Sequence, residues 1–135
     1  MSFTHTALAF FIGALLPVQV GVNVELARHI NSPVLAALVS FVVGGLCLIL
    51  SASIIKTPLP TWNQVISLPN WLWGGGLIGA LVVFGSILAG PKIGALALMG
   101  LLLAGQLVAS IIIDHYGWLG FSVQKLDFQR LLGVL

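Results

Sequence analysis

Residues 33–55 read PVLAALVSFVVGGLCLILSASII. The stretch carries no charge and is long enough to cross the core of a bilayer, which takes roughly 20 apolar residues. Working outward, the pattern repeats. No charged residue interrupts the chain between Lys56 and Lys92, between Lys92 and Asp114, or from Thr6 to about Val24. These stretches predict transmembrane helices at about 6–27, 33–55, 70–90 and 93–114. The fold class is therefore all-α, a polytopic membrane helix bundle.

Composition agrees. Hydrophobic residues make up 59% of the chain and charged residues 6%, against about 25% charged in soluble domains. The mean hydropathy of +1.17 leaves too little polar surface to clothe a soluble core. A net charge of +2 rests on very few groups, so it points to neither nucleic acid nor an acidic partner. Cys47, the one cysteine, sits inside a predicted helix as a small packing residue with no redox role. The N-terminal segment lacks the Lys or Arg of a signal peptide, and no small-residue cleavage site follows it. It reads as a retained helix.

Local signals place the breaks. Pro33 suits the first turn of a helix, with Ser32 or Asn31 as its cap. Pro58, Pro60 and Pro69 make the Lys56–Pro69 stretch an interfacial loop, and Gly90-Pro91 predicts a break between the third and fourth spans. Trp62, Trp71, Trp73, Tyr116 and Trp118 cluster near predicted span ends, where amphipathic rings favour the headgroup layer. Asp127–Arg130 followed by Leu131–Leu135 looks like the start of a fifth helix from about 128. Its shortness reads as truncation, or as a tail lying at the interface. Residues 1–135 then form a single integral membrane domain.

Four crossings put Lys56, Lys125 and Arg130 on one side and Arg28 and Lys92 on the other. So even a balance is the sequence condition for insertion in both orientations, or simply a weak bias that other cues override.

Few polar residues fall within the spans. Gln19 and Asn23 are four apart and share a helix face beside Pro17, which removes a backbone donor and predicts a kink. Amides in hydrocarbon must face protein or water. They are either the wall of a solute cavity, with Pro17 as its hinge, or glue between helices. Gln106, Ser110 and Asp114 form a second stripe at four-residue spacing, running from mid-membrane towards a carboxylate at the interface. Ser40 joins Ala36, Gly44, Cys47 and Ser51 along one side of the second span. Gly75-x3-Gly79, Gly76-x3-Ala80, Gly100-x3-Ala104 and Gly105-x3-Ala109 are small-residue packing faces. Glu25 and Arg28 are placed to pair at the end of the first span.

The expected substrate-binding residues are thus Gln19, Asn23, Gln106, Ser40 and Ser110. Pro17 is the hinge, and Asp114 and Glu25 are candidates for coupling or gating. His5, His29 and His115 lie on separate segments without the spacing of a zinc site. No cofactor, metal cluster or nucleophile–base pair is legible, so no enzymatic activity is expected.

Four segments in order carry a family resemblance: Pro17-Val-Gln-Val-Gly-Val-Asn23; Ser32-Pro33 with Ser40-Phe41-Val-Val-Gly44; Trp73-Gly-Gly-Gly-Leu-Ile-Gly79-Ala80; and Ala104-Gly105-Gln106 with Asp114-His115-Tyr-Gly117. Together they resemble the YdcZ-like family of the drug/metabolite transporter (DMT) superfamily. The resemblance implies a five-helix protein of the bacterial inner membrane, equivalent to half of a ten-helix transporter. Such halves are expected to pair, as a homodimer (antiparallel if both orientations insert) or with a sister chain, and to enclose a path for a small-molecule solute. The related small multidrug transporters use a membrane-embedded glutamate in the first helix. Here Gln19 and Asn23 stand in mid-helix and Glu25 only at its end, so proton-coupled cation antiport does not carry over. The expected function is a transporter subunit for a small polar or amphipathic solute. The alternative is a non-transporting membrane subunit that stabilises or regulates a partner.

Overall fold

The computed structural model describes residues 3–124. The fifth helix expected from about 128, with Lys125, Asp127 and Arg130, lies outside the described residues. Helices make up most of the described residues, and no strand occurs among them. Helix α1 spans Phe3–His29, α2 Pro33–Ile55, α3 Trp62–Ile66, α4 Gly74–Ile93 and α5 Ala95–Tyr116, with a 3-10 turn over Asn70–Trp73 leading into α4. Four of the segments are long and apolar enough to cross a membrane. The short α3 lies in the loop between the second and third spans. The chain divides into two compact units, one running to Lys92 and the other starting at Ile93.

In the first unit the α1–α2 turn is built from local hydrogen bonds. Asn31 takes a left-handed φ of 51°, which asparagine tolerates better than most residues. Ser32 N–H then reaches back to the Ala27 carbonyl at 3.1 Å. The Ser32 hydroxyl caps α2 by accepting from Leu35 N–H at 3.3 Å, and Pro33 takes the first helical position, where it has no donor to lose. The two helices leave this turn close together. Ala27 of α1 meets Ala36 and Ala37 of α2, and Ile87 of α4 closes the cluster, flanked by Leu26, Val83 and Phe84. Ala36 is wholly buried. The core is small because alanine lets backbones approach without a large side chain between them.

The Lys56–Pro69 loop is more ordered than its prolines suggest. Lys56 ends α2 in the left-handed region. Thr61 and Gln64 then form a reciprocal capping box around α3, with Thr61 N–H donating to Gln64 Oε1 at 2.8 Å.

One expected break is displaced. Gly90-Pro91 does not interrupt the chain; α4 continues through Pro91 to Ile93. Proline so near a helix end forfeits one hydrogen bond of the final turn, and the helix has little further to run. The break falls at Gly94, where φ of 83° and ψ of 156° suit glycine alone. Lys92 therefore lies in the last turn of α4, where a cation complements the helix dipole, and not at a helix start.

In the second unit, α5 ends on Gly117 in the left-handed region, with its N–H on the Ile113 carbonyl. The chain folds back so that Gln124 N–H donates to the Asp114 carbonyl at 2.8 Å. A β-carbon on Gly117 would fall 2.5 Å from Val123 Cγ2, so this return needs glycine. Tyr116 stacks on Trp118 with centroids 5.1 Å apart.

Candidate functional site

The first unit brings together two of the expected polar residues. Gln19 of α1 and Ser40 of α2 line one open cleft of about 290 Å³, with Phe41, Gly44 and Gly45 of α2 and Val83 of α4. The opening follows from the sequence of α2. Consecutive glycines offer no side chain to fill the space, and a β-carbon built on either would meet nothing within 4 Å. No charged side chain lines this cleft.

Among the serines of α2 and α4, Ser40 stands apart by how the others are used. Ser51 donates to the Cys47 carbonyl at 2.8 Å, Ser53 to Ile49 at 2.9 Å and Ser86 to Val82 at 2.7 Å. Each hydroxyl is satisfied on its own helix, the standard solution in an apolar setting. Neither Ser40 nor Gln19 makes a side-chain hydrogen bond among the described residues. An unmet polar group removed from water costs about 1–3 kcal/mol. The cleft thus offers a donor–acceptor amide and a hydroxyl to whatever enters it.

Asn23 sits one turn further along α1, on the stripe that continues to Ala27, and is 5% exposed. It is a buried neighbour of the packed core rather than a residue lining this cleft. Pro17 is half-buried within an α1 that stays helical on both sides of it. Glu25 at the end of α1 is engaged, accepting from Arg28 Nη1 at 3.1 Å with His29 Nδ1 at 3.5 Å, all three side chains being exposed. An exposed pair of this kind contributes about 0.2–1 kcal/mol.

Gln106, Ser110 and Asp114 lie on α5, in the second unit. Gln106 and Ser110 are exposed and Asp114 is half-buried. The neighbouring His115 has a buried Nδ1 with no hydrogen-bond partner among the described residues. Among the glycine faces, Gly79 approaches a neighbouring helix, since a β-carbon there would lie 3.4 Å from Phe41 Cζ. Gly75 and Gly76 face open space.

A larger cleft of about 710 Å³ lies at the α2–α4 loop, lined by Pro58, Pro60, Gln64 and Trp73 among others. There the Gln64 side-chain oxygen already accepts from Thr61 N–H in the α3 capping box. Sequence reasoning missed Phe41 and Val83 as cleft residues. An aromatic ring directly after Ser40 in mid-span was the available signal for Phe41.

The family model described as "Putative inner membrane exporter, YdcZ" matches residues 4–135. The chain belongs to the YdcZ family. It is accordingly a multi-pass inner-membrane protein of an exporter family, with four membrane-length helices among the described residues. A search of the curated proteins and of the solved structures finds no match. In this YdcZ-family chain the polar cleft of α1 and α2 coincides with two of the segments that carry the resemblance, Pro17–Asn23 and Ser40–Gly44.

Proposed function

We propose that this chain is one half of a transporter, moving a small polar or amphipathic solute in a pair with a second copy or a sister chain. The observation that carries the reading is the cleft where Gln19 and Ser40 present unspent hydrogen-bonding groups from two helices. The absence of charge among its lining residues favours a neutral solute over a strongly cationic one. Pairing is supported by how little of each span is buried within the chain, 6–11% of its most apolar window. In this reading Pro17 lets α1 bend beside the cleft, and Glu25 acts at the end of α1.

The test is flux of neutral polar solutes through proteoliposomes of the purified protein. Gln19→Leu with Ser40→Ala should lower flux at unchanged protein insertion. Flux equal in the double variant and the parent, or none in either, would favour a non-transporting subunit. Pairing is read separately, by accessibility of single cysteines at Thr61 and Ser122 after replacement of Cys47. Labelling from both membrane faces supports an antiparallel homodimer, and labelling from one face points to a sister chain.

A further inference from the structure

A second cleft, of about 310 Å³, adjoins the first on the α2–α4 side. Its lining is apolar, including Ala37, Leu38 and Phe41 of α2 and Ala80, Leu81 and Phe84 of α4. Phe41 lines both clefts. On one side of this residue stand an amide and a hydroxyl; on the other, hydrocarbon alone. The ring rests over Gly79, where the missing side chain leaves it room.

We infer that Phe41 is the specificity-determining residue of the site, a divider that sets how long an apolar tail the bound solute carries. The solute class is a neutral amphipathic molecule, its hydrogen-bonding head at Gln19 and Ser40 and its short apolar body reaching past Phe41 into the second cleft. This rests on the reading of Gln19 and Ser40 as the polar contact. Inside a membrane the burial of hydrocarbon supplies little drive, because lipid tails are equally apolar. The head must therefore provide affinity, while the tail is selected by shape. Phe41 is the side chain placed to make that selection, since it borders both compartments.

The experiment uses the full chain in lipid nanodiscs and a series of N-alkylacetamides, from N-methyl to N-octyl. Binding is measured by equilibrium dialysis, with protein-free discs subtracting partition into lipid. Saturable binding should fall off beyond one chain length. Phe41→Ala should move that cut-off to longer tails and Phe41→Trp to shorter ones. Phe41→Leu, the conservative variant, should give a smaller shift and guards against misfolding of the alanine variant. Gln19→Leu should weaken every member about fivefold, the worth of one net hydrogen bond, without moving the cut-off.

If the cut-off stays put in folded Phe41→Ala and Phe41→Leu while Gln19→Leu weakens binding, the divider is overturned and the polar contact stands. If no member binds saturably to the parent chain, the polar contact falls as well and the two clefts hold lipid.

Discussion

Helices α1 and α2 meet twice, and differently. Next to their connecting turn, Ala27, Ala36 and Ala37 bring the backbones together and Ile87 seals the contact. Further along, Gln19, Ser40, Gly44 and Gly45 leave an open cleft. Both regions are rich in small residues, yet one is a core and the other a cavity. Small side chains permit close approach but do not cause it. What decides is whether a third element fills the remaining space. Ile87 does so at the packed end, and the corresponding room beside Gly44 and Gly45 is left open.

The comparison can be broken most severely at the packed end. Ala36→Leu forces a large side chain into a wholly buried position, and should destabilise the fold by about 1–3 kcal/mol. Unfolding in mixed micelles would show it, and a parent-like midpoint would mean the helix contact is loose. At the open end the same logic predicts tolerance. Gln19→Leu should leave the unfolding free energy within about 0.5 kcal/mol of the parent, because the amide makes no internal bond to lose. A large loss of stability there would recast Gln19 as helix glue.

A subtler probe is Gly45→Ala. Its β-carbon would meet nothing within 4 Å, and removing a helix glycine should stabilise by about 0.5–1 kcal/mol while narrowing the cleft and weakening solute binding. Stability and binding moving in opposite directions is the signature of a cavity kept open at the expense of helix propensity. The smallest effect is expected at Arg28→Gln, which breaks the exposed pair with Glu25 and should change stability by less than about 1 kcal/mol. A larger effect on flux than on stability would assign Glu25 a part in transport.

Much of this is legible in the sequence. Length without charge predicted the spans, because the bilayer sets the length an apolar helix must have. The Ser32-Pro33 start of α2 was also local, since a cap and a first-turn proline act within one turn. The position of the break after α4 was not. Gly90-Pro91 is the stronger breaking dipeptide by composition, but the chain tolerates proline in a final helical turn and spends its left-handed residue at Gly94.

The polar residues divide along the same line. The sequence singled out Gln19, Asn23 and Ser40 because amides and hydroxyls are conspicuous in hydrocarbon. It could not separate Ser40 from Ser51, Ser53 or Ser86, since a hydroxyl's choice between its own helix and an open cleft depends on what stands opposite. Nor could helical spacing tell that Asn23 is buried while Gln19, one turn away, faces the cleft. By itself, then, the sequence determined the four membrane spans and the class of membrane protein, because those follow from local composition and the thickness of a bilayer. Tertiary structure decided which small residues became core and which became cavity, and placed Phe41 between a polar and an apolar compartment. Those outcomes depend on contacts between segments far apart in the chain.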